Sequence, residues 1–242
     1  AGVPTREATG PVFYPSLPNP PRIQYLTSFT QARDAGGRLG GFAEFVLGKE
    51  SEEDGIVKKP YGVAVHDGKV YAVDTRGPGY AVFDLVGRKF WPVSGDGAGH
   101  MNKPINITID RDGTKYVTDT GREQVLTYDR EDRYVRAYGV KEQFRPVDVA
   151  IHGDRLYVTD ILHHQIHVLD KRTGATLFKF GQPGSKDGEL YQPTNRALSV
   201  DDHLFVTDTG NFRVQMFTLD GKFVRVIGGV GTGLGQFARP KG

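Results

Sequence analysis

Four short runs of this chain end on an aspartate in the same setting: VYAVD at residues 70–74, KYVTD at 115–119, LYVTD at 156–160 and LFVTD at 204–208. The markers Asp74, Asp119, Asp160 and Asp208 stand 45, 41 and 48 residues apart. Each run is preceded by a proline that opens another apolar stretch: PYGVAV from Pro60, PINITI from Pro104, PVDVAI from Pro146 and PTNRALSV from Pro193. Nine residues after each marker stands a bulky apolar residue, Phe83, Tyr128, Leu169 or Phe217, so the copies share an internal register as well as a period.

The last copy, LFVTDTGNFRVQMFTLDGKFVRVIG at 204–228, shows how one unit is built. LFVTD and RVQMF are rich in β-branched and aromatic residues, and the DTGN between them carries turn chemistry that reverses the chain. Asp220-Gly221 suits a type I′ hairpin turn, which needs positive φ at both central positions. KFVRVIG then alternates charged and apolar residues, as a strand with one wet face does. With the proline-led stretch, each unit holds four strands. A twisted four-stranded sheet cannot cover both of its apolar faces alone, whereas neighbouring units cover each other, so a period in the forties predicts an all-β propeller whose blades surround a channel.

The order Pro-x-Gly-Val-Ala-Val, then apolar-Tyr-Val-x-Asp-Thr-Gly-Asn, then Arg-Val-Gln-x-Phe, Asp-Gly and a closing Gly closely resembles the NHL repeat. Residues 193–228 match best apart from a degenerate first strand; 60–95 keep the first two strands but carry DTRGPG in place of DTGN. The resemblance covers residues 59–242 and implies an NHL-type propeller with six blades in the intact protein, about four of them complete in this chain. The blades are expected at 59–95, 103–139, 144–181 and 192–229, with 237–242 starting the next one. Residues 21–31 resemble the outer strands of a closing blade, within a single propeller domain at 21–242. Residues 32–58, glycine-rich at the front and acidic at the back, read as a connector, and the proline-rich residues 1–20 as an extended segment. An outer fragment at the front and a bare blade beginning at the back lead us to expect a natural chain longer by about two blades, on the order of 90 residues at this period; the rival is an open arc completed by another chain. Residues 10–29 resemble the start of exported bacterial NHL proteins, many of them lipoproteins. The resemblance therefore implies a periplasmic, outer-membrane-associated or extracellular location, with membrane contact only through an N-terminal lipid anchor.

Composition narrows the chemistry. Lys and Arg number 31 against 29 Asp and Glu, for a net charge of +2, which provides no broad attraction to nucleic acid or membrane. The absence of cysteine excludes disulfides, thiolate metal sites and thiol nucleophiles.

The candidate ligand positions lie two residues after each blade-opening proline, at Gly62, Asn106, Asp148 and Asn195. These positions begin the inner strands, so the oxygens of Asn106, Asp148 and Asn195 are expected near one channel mouth, where they suit a calcium ion. Turn chemistry or ordered channel water explains the same residues without an ion. The marker aspartates, repeated once per blade at a turn, read as caps for backbone amides. In DILHHQIHVLD, the spacing of His163, His164 and His167 allows metal or haem ligation, but blade packing or an exposed interaction surface is the simpler role, and we group His163, His164 and Arg122 as that surface. The Gly-rich GGVGTGLG lacks the strand-to-helix setting of a phosphate loop and reads as an inter-blade linker.

Three functions follow in order: a non-catalytic exported scaffold binding other proteins in an extracellular or envelope assembly; a metal-dependent enzyme resembling propeller lyases such as the peptidylglycine amidating lyase; and RNA binding as in animal NHL proteins. The last is disfavoured because Arg122, Arg133, Arg136, Lys171 and Arg172 are balanced by nearby acids, so no nucleic acid is expected.

Overall fold

The computed structural model describes residues 12–14, 23–25, 28, 57–77 and 79–241. The connector expected at 32–58 falls outside them up to residue 56, as does most of the extended segment. Near the N-terminus, β1 (Val12–Tyr14) pairs antiparallel with β2 (Ile23–Tyr25), Phe13 opposite Gln24.

Four sheets of four strands follow, each a meander in chain order. The first blade is β3 (Pro60–His66), β4 (Lys69–Asp74), β5 (Tyr80–Asp84) and β6 (Lys89–Val93). The second is β7 (Pro104–Ile109), β8 (Lys115–Asp119), β9 (Gln124–Tyr128) and β10 (Tyr134–Tyr138). The third is β11 (Pro146–His152), β12 (Arg155–Asp160), β13 (Gln165–Asp170) and β14 (Thr176–Phe180). The fourth is β15 (Pro193–Leu198), β16 (His203–Asp208), β17 (Arg213–Thr218) and β18 (Phe223–Ile227). The described residues are thus all-β with four complete blades, and β3, β7, β11 and β15 are successive neighbours along the inner side.

The repeat fixes the pairing. In every blade the opening proline faces the marker aspartate: Pro60 opposite Asp74, Pro104 opposite Asp119, Pro146 opposite Asp160, Pro193 opposite Asp208. Proline has no N–H for the ladder, so it suits the first position of a strand. Each inner strand then slips register through a bulge, at Pro60/Val63, Pro104/Asn106, Pro146/Asp148 and Pro193/Arg196.

The core lies between blades. Tyr71, Val73, Tyr80 and Val82 of the first blade pack with Ile107, Val117, Leu126 and Tyr128 of the second. Tyr116, Val125 and Tyr138 continue into Val149, Leu156, Val158 and Leu169, and Tyr157, Ile166 and Val168 into Leu204, Val206 and Phe217. Each linker between two successive blades adds one fully buried plug, Met101, Phe144 or Leu190. Room for two of the plugs depends on the glycine that closes the preceding blade. Gly139 and Gly181 have φ of 96° and 78°, and an added Cβ would meet the Phe144 ring at 2.5 Å and Leu190 Cδ1 at 2.7 Å. On β3, by contrast, Tyr61, Val63 and Val65 remain exposed.

The marker aspartates cap backbone amides, as their repetition predicts. Asp119, fully buried, accepts hydrogen bonds from the N–H groups of Asn102, Lys103, Gly121 and Arg122, so one carboxylate ties the incoming linker to the outgoing turn. Asp74 does the same for Lys58, Lys59 and Arg76. At Asp74, burial opposes ionisation, but the amides of Lys58, Arg76, Lys59 and Gly77 outweigh it and hold the carboxyl below its ordinary value of 3.8.

Asp119→Ala leaves several buried N–H groups without acceptors and is expected to lower unfolding free energy by at least about 3 kcal/mol, with Asp119→Asn less damaging because one oxygen remains; urea unfolding of the two variants checks both magnitude and order. Because the folded pKa of Asp74 lies below its unfolded value, its stabilisation is fully present above pH 3.8 and disappears as pH falls through the depressed folded value. Melting temperature followed from pH 6 to pH 2, conditions chosen to bracket an ordinary carboxyl, should therefore fall less steeply in Asp74→Asn than in the parent chain.

Candidate functional site

Bulging turns the inner strands so that polar side chains from three blades meet. Asn106 Nδ2 donates to Asp148 Oδ1 at 2.8 Å, and Asp148 Oδ2 lies 2.7 Å from a guanidinium nitrogen of Arg196. Asp148 also accepts from the N–H groups of Val149 and Arg196, while Arg196 Nε donates to the Tyr157 carbonyl at 3.0 Å. The ion pair is almost wholly enclosed, with side-chain exposures of 1% for Arg196 and 7% for Asp148. Burial pulls the Arg196 guanidinium below its ordinary pKa, and Asp148 opposes that shift. Beside the pair opens a cavity of about 320 Å³ lined by Thr108, Asp110, Asp148, Ile151, Arg196 and Leu198.

Of the three positions expected to hold calcium, Asn106 and Asp148 are in direct contact, and Asn195 sits in the β15 bulge one residue before Arg196. The positive charge against Asp148 is the Arg196 guanidinium, so the carboxylate already has a counter-charge from the chain itself. Sequence reading passed over Arg196. Its signal was an arginine three residues after the opening proline, where the other blades carry Val63, Ile107 and Val149. Gly62 completes the row because a Cβ there would lie 2.5 Å from Asn106 Cα, and this close approach of β3 to β7 leaves no room for a side chain.

The three surface candidates occupy the turns that follow the markers. Arg122 donates to the carbonyls of Ala98 and His100, fastening its turn to the preceding linker. His164, in the left-handed region at φ 55°, accepts from Gln192 N–H through Nδ1 and lies with its ring 5.0 Å from that of Tyr191. His163 is 44% exposed, with Nδ1 2.7 Å from Asp160 Oδ2. The same oxygen lies 3.1 Å from Nε2 of the fully buried His167. Asp160, fully buried as well, also accepts from the N–H groups of Arg145 and Leu162. Burial opposes its ionisation, yet the contacts with His167, Arg145, His163 and Leu162 together bring it down to about 2. Sequence reading noted the spacing of His163, His164 and His167 but did not connect any of them to the marker aspartate.

With this geometry established, the relatives can be compared. The chain is 46% identical over 57 residues to the RING finger protein nhl-1 of Caenorhabditis elegans, an alignment spanning 24% of this chain and 6% of nhl-1. The chain is an NHL-type β-propeller. A second relative, the probable peptidyl-alpha-hydroxyglycine alpha-amidating lyase pgal-1 of the same worm, is 28% identical over 103 residues, covering 40% of this chain and 29% of that protein. Among solved structures, the NHL chain superposes on a streptogramin B lyase with a TM-score of 0.57 at 17% identity, covering 69% of this chain and 54% of that one. A chain from a nidogen/laminin complex gives 0.58 at 17% identity, with 73% and 65% covered. No family model matches. The chain thus spans only a small part of its curated relatives and about half of the lyase chain, and the structural likeness carries the propeller fold.

Removing one partner from a buried ion pair costs more than exchanging both. Arg196→Met should therefore destabilise by about 3–5 kcal/mol, and adding Asp148→Asn should recover a good part of that loss. Thermal and urea unfolding of the single and double variants measure this coupling.

Proposed function

We propose that this NHL propeller is a non-catalytic, exported scaffold of six blades in its intact form, binding another protein through one loop-built face. The observation that carries the reading is the contrast between the two polar regions. On the inner strands Asp148, Arg196 and Asn106 satisfy one another, so these three groups are engaged as a structural cluster rather than poised as an acid, base or nucleophile. At one end of the blades, turns and linkers offer adaptable side chains on a rigid frame. A four-stranded meander puts its second-to-third turn and its linkers at the same end, so 120–123, 161–164, 209–212 and linkers 94–103, 139–145 and 181–192 share that face. Exposed Val140, Leu162, Tyr191 and His163 lie on it, the aromatic and aliphatic chemistry that anchors protein partners. The marker aspartates hold these turns in place, so binding orders little backbone. The nidogen/laminin neighbour supports the reading as a propeller in a protein complex, and the resemblance of residues 10–29 to exported NHL proteins supports the location.

A second reading, a metal-dependent lyase working at the channel mouth, draws support from the names of pgal-1 and the streptogramin lyase and from the cavity beside Arg196.

Photo-crosslinking in the native host separates them. A benzophenone side chain at Tyr191 or Leu162 should capture one common partner protein, whereas the same group at Val86 or Val200, exposed on turns at the opposite end, should not. Equal capture from both ends overturns the scaffold reading, and chelator-sensitive turnover of a peptidyl-α-hydroxyglycine replaces it with the lyase.

A further inference from the structure

In the fourth blade three side chains converge on the marker aspartate. Asp208 Oδ2 receives Asn211 Nδ2 at 2.8 Å, Arg213 Nε at 2.8 Å and Gln215 Nε2 at 3.0 Å. These residues stand three, five and seven positions after the marker. At the same three offsets from Asp160 the third blade carries His163, Gln165 and His167. The substitution removes the guanidinium that neutralises the carboxylate and installs two imidazoles in its place.

We propose that Asp160, His163 and His167 form a binding site for one divalent transition-metal ion of the zinc class. Asp160 Oδ2, His163 Nδ1 and His167 Nε2 lie within 4.8 Å of one another on three different pieces of backbone: the end of β12, the following turn and β13. Tetrahedral zinc, at roughly 2.0–2.1 Å from each nitrogen or oxygen, sets its ligands roughly 3.4 Å apart. The oxygen-to-nitrogen distances of 2.7 and 3.1 Å reach that spacing with shifts of well under an ångström, and His163, on an exposed turn, is the ligand free to make them. Two imidazoles with one carboxylate suit zinc and its first-row neighbours better than calcium, which prefers an all-oxygen shell. The ion would return to Asp160 the positive charge that Arg213 gives Asp208.

The environment of His167 points the same way. Its Nε2 faces both Asp160 Oδ2 and the Gln165 amide nitrogen at 3.1 Å, and one ring nitrogen cannot serve as donor to the first and acceptor to the second. A 180° turn of that amide presents Gln165 Oε1 to the same point, which makes it a fourth ligand. Without it, the exposed side of His163 leaves the fourth position to water or to a side chain from a bound partner. Phe144, fully buried with its ring 5.2 Å from that of His167, packs edge-to-face on that imidazole and helps hold it in place.

Calorimetric titration of the chelator-treated chain with zinc chloride, read alongside native mass spectrometry, tests the site. One equivalent should bind at micromolar or tighter affinity, cobalt(II) in its place should show the intense visible absorption of a tetrahedral nitrogen–oxygen site, and zinc should raise the melting temperature. His163→Asn and His167→Gln each give the third blade the residue the fourth already accommodates, so both should fold. Each removes a direct ligand and should weaken zinc by more than the roughly 10–100-fold that loss of an outer-shell partner costs, abolishing the cobalt spectrum. Failure of the parent chain to bind one equivalent, or unchanged zinc affinity in the two folded variants, overturns the proposal.

Discussion

The buried marker carboxylate is the interaction on which the rest of this propeller depends. A linker entering a blade and the turn between that blade's second and third strands both run through irregular backbone, where N–H groups have no ladder partner, and such groups cannot be left dry inside a protein. Asp119 collects four of them on two oxygens and so fixes where the linker enters the second blade. Side chains at defined offsets from that carboxylate are then held at one depth and one end of the molecule. The exposed turn residues and the Asp160 cluster share this origin.

Much of this organisation was legible because a repeat constrains a chain many times over. The spacing of the markers, the opening prolines and the bulky residues nine positions on announced units of four strands, and Phe83, Tyr128, Leu169 and Phe217 are all buried as a shared register requires. The capping role of the aspartates followed from their repetition alone. Departures from the repeat carried less information than they deserved. Arg196 interrupts an apolar strand, and its meaning lies in Asp148, which stands 48 residues away in sequence and on the neighbouring inner strand. The histidines of the third blade were read against one another, whereas their chemistry depends on Asp160, which strand pairing brings to them. Contacts made within one hairpin repeat and can be counted; contacts made by exceptions cross between blades or converge on a third residue.

Two polar clusters show how similar residues lead to different chemistry. Asp148 and Asp160 are both enclosed carboxylates of the third blade, yet Asp148 is answered by a permanent cation and Asp160 by imidazoles. A guanidinium cannot be titrated away or exchanged in a working protein, so the inner cluster behaves as a fixed fastening between β11 and β15. Imidazoles exchange protons and metals, and His163 stands partly in solvent. The inner cluster suits permanence, and the turn of the third blade suits exchange.

The plugs Met101, Phe144 and Leu190 give the fold a direction in time. Each fills the core between two blades, yet each belongs to the linker that follows the first of them. A ribosome delivering this chain cannot complete one interface until the linker and the inner strand of the next blade have emerged. During synthesis, at about 5–20 residues per second, the newest blade therefore always waits with one face uncovered for what the following seconds supply. Assembly is a relay in which every blade is finished by its successor.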